Sequence, residues 1–234
     1  MADVDRTAVS VEVTKVRNAY LPVVSGNCLK IDSADDYITP SSAFLWTNRW
    51  SCFFKAKVLS TPSNGARLIS NDSETILLTV TGIQVTQGGA TVVSSSVLIY
   101  NEWHDYGIVY DGSFMRFYRD GCPISAKSIT TNPSTNNWAY TIFNNPAHNR
   151  HCDMSVAYFQ FYTKAFTPEQ VVAHYFNNSK DTASLKLEYR LNEGTGTTAT
   201  DSSGNGNNGT ITNCSWDKFY VPSSLFSYGE TSII

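Results

Sequence analysis

An all-β sandwich of two antiparallel sheets is the fold that the sequence predicts, and three observations support it. Short runs of apolar and β-branched residues alternate with polar residues, which is the pattern of strands buried on one face. Turn residues such as Gly88-Gly89 and Asp111-Gly112-Ser113 separate these runs at short intervals. The length of 234 residues suits a sandwich that folds as one domain and buries a sizeable core.

The composition limits the classes of partner. Charged residues make up 16% of the chain and the net charge is −3, so no nucleic acid and no membrane partner is expected. The five cysteines include no C-x-x-C pair, which favours free thiols in a reducing compartment over a zinc site or a disulfide framework. Residues 1–10 lack the features of a secretory signal, and no apolar run approaches transmembrane length.

Three predicted strands show the alternation most clearly. They span residues 8–16, 50–59 and 185–191. In the second of them, alternate residues share the inward face; these are Trp50, Cys52, Phe54, Ala56 and Val58. Each of these strands is expected to bury one face in the sandwich.

A β-hairpin is predicted from Glu102 to Gly121. Its strands cover residues 103–110 and 114–119, and its turn is Asp111-Gly112-Ser113. His104 lies on the first strand without an oriented partner nearby in sequence. We therefore interpret it as a packed residue with a hydrogen-bond partner rather than a general base.

One short helix is predicted over about residues 167–176. Thr167 suits the N-cap, Pro168 the first helical position, and Gln170 the third position of a capping box. Val172 and Phe176 form an i,i+4 pair, which is expected to pack on the sandwich.

Three motifs resemble one known family. They are the hairpin with W-H, Y-D-G-S and Y-x-D-G; the segment F-Y-x-x-A-F-T-P-E-Q-x-x-x-H-Y; and L-N-E-G-T-G-T-T-A-T-D-S-S-G-N-G-N-N-G-T-I. Together they resemble laminin-G-like domains of the concanavalin A-like lectin/glucanase superfamily. The resemblance implies a concanavalin A-like jelly-roll sandwich over residues 28–218, preceded by an N-terminal strand or arm over 1–27 and followed by a C-terminal tail over 219–234.

The third motif departs from the family order, because it usually precedes the other two and here follows the helix. Residues 185–212 either close the same sandwich in a permuted order or begin a truncated second copy. Too few residues follow for a second domain, so closure is the preferred interpretation; pairing with a neighbouring molecule is left open.

A carbohydrate site is predicted in the irregular stretch over residues 125–150, which is interpreted as a short strand over residues 139–143 between two loops. Long loops without regular structure are often functional, and this one contains four residues that could contact a sugar: Trp138, Asn144, Asn145 and His148. The alternatives are an ordinary variable loop or a subunit contact. A zinc site at His148 and His151 is disfavoured, since Asp153 is the one nearby carboxylate.

A calcium site is the second predicted binding site. Related domains often bind Ca²⁺ in their loops, and Asp201, Asn205 and Asn207 could supply oxygen ligands. The alternative is a Gly-rich turn in which Asp201 accepts hydrogen bonds from backbone N–H groups.

No catalytic activity is predicted. Glucanases of the superfamily carry two carboxylates in an E-x-D-x-E spacing on one strand, and no predicted strand has that pattern. Two functions then compete. The first is a virion surface protein, such as a capsid decoration or tail-fibre subunit, made in the host cytoplasm, that contacts other virion proteins or copies of itself and adheres to glycans. The second is a stand-alone lectin module, with or without calcium.

Overall fold

The computed structural model describes residues 23–60, 65–71, 74–80, 82–95, 97–134, 140–144 and 151–222. The chain divides into two compact units, one formed by Met1–Ser25 with Tyr220–Ile234 and the other by Gly26–Phe219. The second unit is the sandwich described below. The predicted strand over 8–16 and most of the predicted tail lie outside the described residues.

The described residues form sixteen strands and one helix. The strands are β1 Val23–Ile31, β2 Tyr37–Pro40, β3 Trp50–Val58, β4 Ala66–Ser70, β5 Thr75–Thr79, β6 Gly82–Gln87, β7 Ala90–Ser95, β8 Trp103–Tyr110, β9 Phe114–Arg119, β10 Cys122–Ser128, β11 Thr141–Ile142, β12 Met154–Tyr162, β13 Leu185–Tyr189, β14 Thr198–Ala199, β15 Gly209–Thr212 and β16 Ser215–Pro222. The helix, α1, spans Pro168–Asn177. No helix in this part of the chain has the length and apolar character needed to cross a bilayer.

Among these elements, two sheets of eight strands form the sandwich. The first has the order β10-β9-β8-β3-β12-β1-β16, with β13 also paired to β12, and the second has the order β14-β15-β2-β11-β4-β5-β6-β7. Every strand pair with a determined register is antiparallel. The predicted all-β sandwich is confirmed.

The core lies between the two sheets. Strand β3 contributes Trp50, Cys52, Phe54, Ala56 and Val58, all fully buried in one hydrophobic cluster. This is the inward face that the alternation predicts. Full burial of a large apolar side chain contributes about 1.5–3 kcal/mol to the free energy of unfolding. This cluster is therefore a main source of the stability of the sandwich.

The outer face of the first sheet is also buried, because helix α1 covers it. A second apolar cluster lies there; its members are Phe53, Val109, Tyr118, Tyr162, Phe166, Val171 and Leu185. The capping box is confirmed, since Gln170 N donates to Thr167 Oγ1 and Thr167 N donates to Gln170 Oε1. The start and end of the helix agree with the prediction to within one residue.

The prediction for the buried face of the helix is wrong. Val172 and Phe176 are 43% and 54% exposed, whereas Val171 and His174 face the sheet. The second buried position is polar, and its ring contacts Phe53 at a centroid distance of 4.3 Å. A histidine can occupy this position because a hydrogen-bond partner is available in the sheet below it.

The hairpin of β8 and β9 is formed as predicted. Tyr106 pairs with Arg119 and Tyr110 with Met115 across it. His104 Nδ1 lies 2.6 Å from Asp120 Oδ2, and the ring is mostly buried. The interpretation of His104 as a packed residue with a partner agrees with this geometry.

Residues 185–212 belong to the same sandwich. β13 pairs with β12 in the first sheet, and β15 pairs with β2 in the second. The segment that usually opens domains of the resembled family therefore lies here beside strands that come earlier in the chain.

Candidate functional site

A groove of about 380 Å³ lies between helix α1 and the segment that follows it, residues 178–184. Its apolar surface comes from Phe166, Ala173 and Ala183. Ligand sites for small molecules commonly begin at about 300 Å³. The groove is therefore large enough for a mono- or disaccharide.

Local sequence signals build both walls of the groove. Helix α1 ends at Asn178, which takes the left-handed conformation with φ 51° and turns the chain back along the helix. The N–H of Ser179 donates to the Ala173 carbonyl at 3.3 Å, and the N–H groups of Ser184 and Leu185 donate to the Asp181 carbonyl. The first bond joins the start of the 178–184 segment to the helix, and the other two close a turn at its end.

Each of the two charged side chains in the groove already has an ion-pair partner. Lys180 Nζ donates to Glu188 Oε1, and Lys164 Nζ donates to Asp181 Oδ2 at 2.5 Å. The hydrogen bond from Lys164 holds the pKa of Asp181 below its usual value. Burial alone would raise the pKa of Glu188, but hydrogen bonds from Lys180 and Gln160 outweigh it and lower that pKa. The groove thus presents one ammonium and one carboxylate, each already neutralised.

Three polar groups on the rim are free to bind a ligand. The side-chain N–H₂ of Gln170 and the hydroxyls of Ser179 and Thr182 have no hydrogen-bond partner within the described ranges. The Gln170 carbonyl is occupied by the capping box, so its amide presents donors only. Hydroxyls donate and accept. This arrangement suits a ligand that carries several hydroxyls.

Of the four residues in the sugar site predicted from the sequence, the structure describes Asn144. Trp138, Asn145 and His148 lie outside the described residues. Asn144 is fully buried, and its side-chain amide donates to the Ala34 carbonyl, so we correct its predicted role from sugar contact to support of the β1–β2 turn.

The alternative zinc interpretation involves His148, which lies outside the described residues, and His151. His151 Nε2 lies 3.7 Å from Asp153 Oδ1. Within the described ranges, no group of three or more His, Cys, Asp or Glu side chains is arranged to hold a metal ion.

The Asp201 turn does not fit the predicted Ca²⁺ site. Asp201 Oδ1 accepts from the N–H groups of Glu188 and Ser203, and Oδ2 accepts from Asn207 N–H and Ser203 Oγ–H. A carboxylate has about four acceptor positions, and all are taken by these donors. Asn205 uses its side-chain N–H₂ to donate to the Leu185 carbonyl at 2.9 Å. The geometry is that of the alternative, a Gly-rich turn ordered by Asp201.

Comparisons with known proteins agree with this architecture. A laminin-G family model of the concanavalin A-like lectin/glucanases superfamily matches residues 32–172, and the chain belongs to this family. No curated protein sequence matches the chain.

Three solved structures share the fold at low identity. A putative carbohydrate binding protein from Bacteroides ovatus superposes with a TM-score of 0.67 at 15% identity, over 84% of this chain and 61% of that one. Domain 4 of AbnA, an extracellular GH43 arabinanase from Geobacillus stearothermophilus solved with arabinotriose, gives a TM-score of 0.51 at 13% identity, over 64% and 86%. The binding domain of Paraclostridial Mosquitocidal Protein 1 gives 0.50 at 14% identity, over 68% and 48%. The chain therefore spans less than two thirds of the first of these proteins.

Sequence reasoning missed the groove. Gln170 was identified only as a capping residue, and Ser179 and Thr182 carry no motif. The polar run directly after the helix was the available signal, because a return segment after a capped helix must lie alongside it. The unpartnered state of these side chains depends on tertiary contacts and is not visible in the sequence.

Proposed function

We propose that this protein is a non-enzymatic carbohydrate-binding module, and that it binds a hydroxyl-rich sugar in the groove between α1 and the 178–184 segment. The observation that carries the proposal is the set of unpartnered groups on Gln170, Ser179 and Thr182 in a groove that Ala173 and Ala183 also line. A sugar satisfies such groups with its hydroxyls.

The family and its structural neighbours support this proposal at a coarser level. The superfamily contains lectins as well as glucanases, and two similar structures are described as a carbohydrate binding protein and as a domain in complex with arabinotriose. At these sequence identities the likeness shows a shared fold and does not indicate which sugar is bound.

The groove lacks the parts that a glycosidase needs. Such enzymes use two carboxyl groups about 5–9.5 Å apart across the scissile bond. Asp181 is the one carboxylate among the residues that line the groove, and it is bound by Lys164. Binding without hydrolysis is the activity that this arrangement supports.

The virion role predicted from the sequence gains no support from the comparisons. It stays a prediction, together with the partners and the location that it implies. The second function predicted from the sequence was a stand-alone carbohydrate-binding module, and this is the function that we propose.

A glycan array tests the proposal with two matched variants. Gln170→Glu keeps the capping box, since a Glu carboxylate also accepts from Thr167 N–H, but removes the free amide donors. Val172→Glu adds the same charge two residues further along the helix, at an exposed position. We expect wild type and Val172→Glu to bind one class of sugar equally, and Gln170→Glu to bind it at least about tenfold more weakly.

A second variant in the groove and a calcium control test the proposal further. Thr182→Val removes a rim hydroxyl with little change in shape and should weaken the same sugar by about fivefold. Binding should be the same in calcium and in chelator, because the Asp201 carboxylate already accepts four hydrogen bonds within the turn. Absence of binding to any sugar, or equal binding by wild type and Gln170→Glu, would contradict the proposal.

A further inference from the structure

A chain of buried polar side chains connects helix α1 to the groove. His174 Nε2 lies 2.6 Å from Gln160 Oε1, and Gln160 Nε2 donates to Glu188 Oε1 at 2.8 Å. Glu188 in turn accepts from Lys180, a groove residue. His174, Gln160 and Glu188 are each at most 5% exposed. We call these four side chains the relay.

The direction of the hydrogen bonds fixes the form of His174. The Gln160 amide nitrogen faces the Glu188 carboxylate, so the Gln160 oxygen faces the histidine and must accept. Tyr162 O–H also donates to that oxygen at 3.3 Å. Nε2 of His174 therefore carries a proton, and a second proton from solvent would go to Nδ1 and charge the ring.

The surroundings of His174 disfavour that charge. The ring lies among Phe53, Tyr158, Tyr162 and Phe166, with centroid distances of 4.3 to 6.4 Å. A charged ring would lose its hydration in this apolar setting.

The charged groups near His174 come from three elements, and each already has a partner. They are Asp105 on β8, Glu188 on β13 and Lys180 in the 178–184 segment. Asp105 accepts from Lys55 Nζ and from Tyr158 O–H, at 2.8 and 2.7 Å. Neither carboxylate is therefore free to compensate a new charge on the histidine.

The net effect is a lowered pKa for His174. Burial is the largest cause and Lys180 acts in the same direction, whereas a backbone hydrogen bond to the ring, Asp105 and Glu188 oppose them. Because the folded pKa lies below the ordinary value of 6.5, the unfolded form binds the proton more readily. The stabilisation is complete above pH 6.5 and is lost as the pH falls from there toward the folded value.

We propose that protonation of His174 releases helix α1 and the 178–184 segment from the sheet, so that the groove is formed at neutral pH and loosens in mild acid. Both walls of the groove depend on the relay: His174 attaches the helix, and Glu188 attaches Lys180. As regulation of a sugar site, the inference rests on the proposed function. As a proton-linked opening of the helix, it is measurable without a ligand.

Hydrogen exchange read by mass spectrometry tests the opening in the intact chain. After correction for intrinsic exchange, we expect protection of the α1 amides to fall below pH 6.5, by up to about tenfold per pH unit. His174→Gln retains a donor toward Gln160 but cannot be charged, so its protection should not change over this range. His151→Gln removes a histidine distant from the helix in sequence and should behave as wild type.

Constant protection of α1 in wild type, or the same pH dependence in His174→Gln, would overturn the inference. If His174→Gln does not fold, an NMR titration of the wild-type histidine rings replaces it. His174 should then titrate below 6.5 together with shifts in the α1 amides, and titration without such shifts would refute the coupling. A sugar array at neutral pH without binding would refute the proposed function and leave this result unaffected.

Discussion

Replacement of Asp201 distinguishes a hydrogen-bonded turn from a calcium site. Asp201→Ala removes the acceptor of three backbone N–H groups and one hydroxyl. In the structure, these bonds join the Gly-rich turn to β13. We expect the variant to be less stable than wild type in every buffer, whether or not calcium is present.

The size of the effect follows from the burial of the donors. Glu188 is 2% exposed, so its N–H loses its acceptor without access to water, which costs about 2–3 kcal/mol. Ser203 and Asn207 are half-buried and can bind water instead, at about 1 kcal/mol or less each. The expected loss is about 4 kcal/mol, which lowers Tm by about 10 °C in a domain of this size.

Urea denaturation followed by tryptophan fluorescence measures this loss, with calcium and with chelator. Asp35→Ala is the control, since it removes an exposed carboxylate and should change stability by less than about 0.5 kcal/mol. The reasoning is refuted if chelator destabilises wild type and leaves Asp201→Ala unchanged, because that result requires a bound ion.

Two further predictions concern the face beneath helix α1. Gly107→Ala places a Cβ 2.9 Å from Phe53 Cε1. The overpacking should lower the free energy of unfolding, measured by urea denaturation, by about 2 kcal/mol. An unchanged denaturation midpoint would show that Phe53 moves freely. Glu188→Gln leaves Lys180 without its charged partner and should cost about 2 kcal/mol at neutral pH. Since the folded pKa of Glu188 is lowered, the carboxylate's contribution to the free energy of unfolding is present above pH 4.5 and is lost as the pH falls below that value. The stability of the variant should therefore depend less on pH in this range. The same loss of stability in acid for both proteins would contradict this.

Local sequence signals predicted the strands and the helix well. The alternation in β3 identified its buried face, because a period of two leaves one arrangement that hides all the large apolar side chains. Thr167 and Gln170 marked the helix start through a capping box that forms within four residues. Both signals are short in range and need no tertiary information.

The helix face could not be predicted in the same way. The Val172 and Phe176 pair has the spacing of a buried stripe, yet the sheet below offers Gln160 as a hydrogen-bond partner for His174. A buried polar residue is favoured only when that partner exists, and the partner lies fourteen positions earlier in the sequence.

The role predicted for Asn144 was wrong for a related reason. The stretch over residues 125–150 was interpreted as two loops around a short strand at 139–143, and the structure has β11 there, paired with β2 and β4. Asn144 follows that strand directly and is buried against the β1–β2 turn. Its burial depends on a bond to Ala34, which lies 110 positions earlier in the sequence, and a contact over that separation is not visible in the sequence.

The most direct test of the central claim is an NMR map of the bound sugar. Backbone amide spectra of the wild-type chain would be recorded with increasing amounts of the strongest-binding oligosaccharide from the array. The account predicts that the shifts concentrate in residues 166–183, with the side-chain N–H₂ of Gln170 among the largest. Shifts concentrated in residues 125–150 instead would contradict it and place the site in the stretch first predicted from the sequence.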